Sequence, residues 1–146
     1  MKLFTTFILL LSFGDTSVFW QNREQTAYKF CQDVMSSKKS YDQIISDYIV
    51  VARDPNADIS TRQSLINIQL KNLRENNKIN NSEDIKVVPY SQSPPIPGLE
   101  GNFRTADIYA VYNGSTPLIY ILFEEDRIAS FTVLKKGVRS YFLLLN

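Results

Sequence analysis

The chain has 146 residues, with 16 basic and 15 acidic side chains, no histidine and a single cysteine. So even a balance disfavours electrostatic capture of nucleic acid or of an anionic membrane, and the missing imidazole excludes serine–histidine and cysteine–histidine catalysis within this chain. One cysteine cannot close an internal disulfide, so an ordinary hydrophobic core must hold the fold.

Residues 1–14 have the form of an export signal. Lys2 supplies positive charge, Leu3 to Phe13 are largely apolar, and Ser12-Phe13-Gly14 places small residues around a cleavage point before Asp15. The apolar stretch is shorter than the roughly 20 residues of a membrane span, and no later segment is long and apolar enough either, so no stable membrane insertion is expected once the signal is removed. Cys31 lies too far downstream to be a lipoprotein acylation site. A periplasmic or secreted protein is expected, with residues 15–146 forming one domain large enough for a proper core.

Within residues 23–35, Ala27, Phe30, Cys31, Val34 and Met35 recur at helical spacing and predict an amphipathic first helix, on which Cys31 serves as a small hydrophobe. Ser40 and Gln43 make a capping-box pattern that opens a second helix carrying Tyr41, Ile44, Ile45, Tyr48 and Ile49, and Asp54-Pro55-Asn56 ends it. Ser60 and Gln63 repeat the pattern, with Ile59 as the preceding staple residue, and predict a third helix through Leu65, Ile66, Leu70 and Leu73; the polar run 75–82 closes it. Beyond Asp84 the pattern turns to strands. Ile85, Val87 and Val88 favour one, and residues 91–101, with Pro94, Pro95, Pro97 and Gly98, form a loop. Strands are then predicted over 107–112, 118–123, 128–134 and 139–145, joined by an Asn113-Gly114 hairpin turn, the 124–127 turn and Lys136-Gly137. The result is an α+β fold: three helices on one face of a curved antiparallel sheet of four to five strands, the last four forming a meander.

Three of these strands are apolar on both faces. Ile108, Ala110 and Tyr112 oppose Tyr109 and Val111; Leu118, Tyr120 and Leu122 oppose Ile119, Ile121 and Phe123; Phe142 and Leu144 oppose Tyr141, Leu143 and Leu145. Helices cover one face only, so the other must be covered by the sheet curling on itself, by a second copy of the chain, or by a ligand or protein partner.

The order of a helix, a short second helix reached through Ser40-Tyr41-Asp42, a third helix and a curved C-terminal meander resembles the NTF2-like superfamily, in the version found in small exported bacterial proteins of unknown function. A cystatin-like helix-on-sheet fold is the alternative. The NTF2-like resemblance implies a cone-shaped fold, a pocket between helices and sheet, and dimerisation through the sheet's outer face.

Chemistry-bearing residues are sparse. Glu124-Glu125-Asp126 is the one tight acidic cluster, and its place between two strands makes it a solvated turn rather than a calcium site. Asp42, Asp47 and Asp107 are single carboxylates near apolar residues, where burial could raise a pKa. Tyr109, Tyr112, Tyr120 and Tyr141 join apolar rings to hydroxyl tips, as at wet interfaces and pockets. Two glycosylation sequons occur, Asn80-Asn81-Ser82 and Asn113-Gly114-Ser115. No catalytic residue, cofactor or metal site is assigned. The leading expectation is a non-enzymatic binding protein that uses an apolar sheet face or pocket to form a homodimer or to hold a small apolar ligand or protein partner, with Tyr109, Tyr112, Tyr120, Tyr141, Asp47 and Asp107 as its candidate binding residues. The alternatives are a pocket enzyme with Asp47 or Asp107 as base and a tyrosine orienting the substrate, and an inhibitor or immunity-type protein presenting the stiff 94–101 loop.

Overall fold

A computed structural model of the chain describes residues 16–50, 58–76 and 84–145. The export-signal segment, the Asp54-Pro55-Asn56 break and the Asn80 sequon lie outside these residues. Three helices, α1 (Thr16–Ser36), α2 (Tyr41–Tyr48) and α3 (Ile59–Asn76), precede the strands, and the fold is α+β. The α2 cap is the one the sequence predicts: the Gln43 amide donates to Ser40 Oγ at 3.3 Å, and the Ser40 amide donates to Gln43 Oε1 at 3.0 Å. For α3 the cap is different. The Asp58 carboxylate accepts from the amides of Ser60 and Thr61 at 3.1 and 3.2 Å and from both their hydroxyls, so the helix starts at Ile59 and Ser60 is inside it. A charged acceptor suits the positive end of a helix better than a neutral hydroxyl does. No helix among the described residues is long and apolar enough to cross a membrane.

Strands β1 (Ile85–Pro89), β2 (Ile108–Asn113), β3 (Thr116–Glu124) and β4 (Arg127–Ser130) form an antiparallel sheet in that spatial order. The β2–β3 hairpin turns one residue later than the Asn113-Gly114 signal predicts, through Gly114-Ser115: Asn113 stays in β2 opposite Thr116, and Gly114 takes the left-handed φ of +59°, with open space where a Cβ would lie. The meander does not continue as predicted. Its next strand breaks after Ser130, and β5 (Val133–Lys136) pairs with β6 (Arg139–Phe142) in a separate two-stranded sheet. Ser130 marks the break: its buried hydroxyl donates to the Leu143 carbonyl at 2.7 Å and accepts from the Thr132 amide at 3.3 Å, drawing the chain out of the β4 ladder.

Each sheet face has its own core. On the helix side, Tyr109, Val111, Ile121, Phe123 and Ile128 pack with Phe30, Cys31, Val34, Ile44 and Leu70. The opposite face, with Ile108, Leu122 and Ala129, is covered by Phe142 and Val133 of the β5–β6 hairpin and by Tyr90, Ile96, Leu99 and Phe103 of the proline-rich loop. Hydrogen bonds fix that cover. Tyr120 Oη donates to the Pro94 carbonyl at 2.9 Å, Ser140 Oγ to the Pro97 carbonyl at 2.7 Å, the Ser140 amide to Gly98 O at 2.8 Å, and the Glu100 amide to Ser140 O at 2.9 Å. Prolines suit such a lid because each offers a carbonyl and has no amide to leave unsatisfied. The surplus apolar face, on which a homodimer interface was expected, is therefore covered within the chain.

Candidate functional site

The six residues singled out from the sequence do not meet at one place. Tyr109 is fully buried in the helix-side core, edge-on to Phe123 with ring centroids 5.5 Å apart, and burial pushes its phenol up to about 12. Tyr141 lies on β6 and donates to Glu100 Oε2 at 3.2 Å; Tyr112 is half-buried near the end of β2. Asp47 is exposed on α2 and pairs with Lys39 at 2.8 Å.

Asp107 sits between two arginines, with Arg23 Nη1 at 2.7 Å and Arg104 Nε at 2.8 Å. Burial pushes its carboxyl up, and the hydrogen bonds from Arg104 and Arg23 more than offset that, leaving it below its ordinary value. A base with a raised pKa is therefore not what this carboxylate provides. The pairing anchors α1 instead, because Arg23 also donates to the Glu125 carbonyl at 2.8 Å and lies 5.7 Å from the Phe123 ring.

Tyr120 reaches an open concave surface, and that surface exists because of a mismatch in strand length. Strand β3 has nine residues and β4 has four, and β4 pairs only with Leu122, Phe123 and Glu124. Among the described residues, nothing pairs with the outer edge of residues 116–121. The open edge faces a groove of about 340 Å³, near the lower end of the range for ligand sites. Leu118, Ile119 and Tyr120 form the strand wall; Phe131, Thr132 and Val133 form the far end; Gln69, Asn72, Leu73 and Asn76 line the helix wall.

Two contacts hold those walls in place. Arg74 Nε donates to the Val34 carbonyl at 2.7 Å while its guanidinium stacks 4.5 Å over the Tyr41 ring, fixing α3 against α1 and α2. Thr132 Oγ1 donates to Gln69 Oε1 at 2.7 Å and ties the chain leaving β4 to α3.

The groove's chemistry is uncharged. None of its ten lining residues is a carboxylate, lysine, arginine or cysteine, and its one titratable group, the Tyr120 phenol, is raised by burial. Charge, proline and bulges are the usual means of blunting a free edge: β1 carries exposed Lys86 and ends in Pro89, β5 carries exposed Lys135 and Lys136, and the β3 edge carries Pro117 and a bulge at Leu118, where its register with β2 shifts. Sequence reasoning missed Gln69, Asn72, Asn76 and Thr132. The amides recur at i, i+3 and i+7 along α3, which reads as a solvated helix face until the β3 edge is placed opposite it. Among the described residues no group of three or more acidic or thiol side chains could hold a metal ion. No family model, curated protein or solved structure matches the chain.

Proposed function

We propose that this chain is an exported binding protein that holds a partner in the groove between α3 and the open edge of β3, and does not turn over a substrate. The observation that carries the reading is an uncharged groove of about 340 Å³ in which apolar Leu73, Leu118, Ile119 and Phe131 lie beside the carboxamides of Gln69, Asn72 and Asn76. General acid–base chemistry needs a group poised near the working pH, and the carboxylate expected to supply it, Asp107, is held low by two arginines away from the groove. Export rests on the N-terminal segment with Lys2 and the apolar run after it. The NTF2-like resemblance agrees in placing binding between a helix and the sheet.

The test is a two-dimensional NMR titration of the isotope-labelled full chain with a collection of blocked dipeptides and small apolar fragments. Binders are expected to shift amides of residues 118–120, 131–133 and 69–76. Shifts gathered around Asp47 or Asp107, or turnover of any compound, would overturn the reading.

A further inference from the structure

We infer that the groove recognises a small, neutral, planar nitrogen heterocycle that carries a hydrogen-bond donor and an acceptor side by side on one edge, as cyclic amides and the free nucleobases do. The inference rests on the binding role proposed above and names the class of ligand.

Strand register decides which main-chain groups face the groove. The Gly114 amide donates to the Asp84 carbonyl at 2.8 Å, which makes Asp84 and Gly114 a hydrogen-bonded pair, and such pairs recur at every second residue of an antiparallel ladder. Ala110 and Tyr112 therefore turn their amides toward β1, and Tyr109 and Val111 turn theirs toward β3. Their partners Ile121 and Ile119 face back to β2, so Tyr120 between them directs both its N–H and its C=O outward. The next outward residue, Leu122, pairs with Ser130 of β4. A continued ladder would pair Tyr120 with Thr132, but the Thr132 amide donates to Ser130 Oγ at 3.3 Å and its carbonyl accepts from the Leu143 amide at 2.9 Å. One donor and one acceptor of Tyr120 are thus left facing the groove where a partner residue belongs. The bulge at Leu118 and the missing amide of Pro117 end the edge on the other side.

A single outward residue cannot hold an added strand, but it can hold one amide-sized edge. A ring with a donor beside an acceptor satisfies the Tyr120 carbonyl and amide together. Leu73 and Phe131 belong to the helix-side core and Val133 to the opposite one, so a flat ring that continues the plane of the sheet meets apolar side chains over both faces. Its outer polar atoms meet the carboxamides of α3. Gln69 Oε1 is engaged by Thr132, which leaves its NH₂ to donate, and Asn72 and Asn76 are exposed; carboxamides match the donor–acceptor edges of bases with paired hydrogen bonds. The ligand must be neutral because the lining has no charged side chain to receive a phosphate or a carboxylate. A groove of about 340 Å³ suits one or two rings. A purely apolar compound would leave the Tyr120 groups unmatched.

The test titrates the isotope-labelled full chain with 2-pyridone, 2-aminopyrimidine, uracil and cytosine, each beside its fully N-methylated form, which lacks every donor. At least one parent compound should move the Tyr120 amide proton downfield, together with side-chain NH₂ signals of Gln69, Asn72 or Asn76. Its N-methylated form should bind at least about fivefold more weakly, because the Tyr120 carbonyl is then left unmatched. The exposed pair Asn72→Leu and Asn76→Leu should weaken binding about fivefold with an unchanged melting temperature. In the free chain the Tyr120 amide should exchange with solvent much faster than those of Ile119 and Ile121, and the bound compound should slow it.

Equal affinity of a parent compound and its N-methylated form, with shifts still in the groove, would sink the donor–acceptor recognition and leave the groove's binding role standing. Shifts located elsewhere, or no binding by any of the four while other fragments still occupy the groove, would overturn the heterocycle assignment alone. A groove that no compound of any kind occupies would take the binding role down with it. A Tyr120 amide that exchanges as slowly as Ile119 in the free chain would refute the open pairing point on which the inference stands.

Discussion

Replacing Arg23 with methionine removes the anchor between α1 and the β3–β4 turn. Arg23 is only 7% exposed, and its charge-assisted hydrogen bonds include those to Asp107 at 2.7 Å and to the Glu125 carbonyl at 2.8 Å. Bonds of this kind contribute about 1.5–3 kcal/mol each. Breaking a buried ion pair outright costs about 3–5 kcal/mol because a charge is stranded. Here Asp107 keeps Arg104, whose Nε and Nη2 lie at 2.8 and 2.9 Å, and methionine refills part of the volume. The expected net loss is about 2–3 kcal/mol, or a fall in Tm of about 8–12 °C for a domain of this size.

Urea denaturation at neutral pH measures that loss, and Asp107→Asn in both backgrounds gives the coupling, expected at about 1–2 kcal/mol. Asp107 is held below its ordinary value in the folded chain, so the pair's contribution is complete above the unfolded carboxyl pKa near ~4 and disappears as pH falls through the lower folded value. The gap between wild type and Arg23→Met should therefore narrow below about pH 4. A gap under about 1 kcal/mol, or one that does not change on acidification, would refute the assignment of Arg23 as the anchor.

Three further outcomes are expected. Gly98 has φ +64°, and a Cβ there would sit 2.0 Å from the Val138 carbonyl oxygen, whereas Gly114 has φ +59° and open space around it; Gly98→Ala should cost about 1–2 kcal/mol more than Gly114→Ala in urea melts. The Cys31 thiol is buried and pushed up to about 12 by that burial, so iodoacetamide should not alkylate it in the folded chain at mildly alkaline pH and should do so readily in denaturing urea. Asp58 is lowered to about 2, first by the Thr61 hydroxyl and then by the other bonds of the cap. Its contribution to α3 should be present above the ordinary carboxyl range and fade between about pH 4 and pH 2, so Asp58→Ala should flatten the acid limb of the helical circular-dichroism signal.

Much of the fold was legible because it is written in local patterns. The apolar stripe through Ala27, Phe30, Cys31 and Val34 forms the buried face of α1, and the Ser40–Gln43 box and the hairpin turn at Gly114 rest on chemistry within a few residues. The cap of α3 was misplaced because two patterns overlap. Ser60 and Gln63 satisfy the capping-box spacing, yet the stronger acceptor Asp58 stands two residues earlier. The split between β4 and β5 was invisible because residues 128–134 read as one continuous strand, and the hydroxyl that breaks it bonds to Leu143, 13 residues further on. Tyr109 and Asp107 looked like pocket residues because a sequence shows a group's type without its partners. Tertiary packing encloses one in the helix-side core against Phe123 and the other between arginines.

By itself the sequence determined the fold class, the three helices, the positions of most strands and the fact that the sheet has two apolar faces, since side-chain period and turn chemistry are properties of neighbouring residues. What covers the second face was decided only in three dimensions. The proline-rich loop and the β5–β6 hairpin fold back on it through bonds such as Ser140 to Pro97, spanning 43 residues. The groove has the same origin. Its open edge follows from β4 stopping short of β3, and its amide wall follows from α3 lying opposite. Neither length nor placement is encoded by any local pattern, because each depends on which distant segment wins the competition for a strand edge.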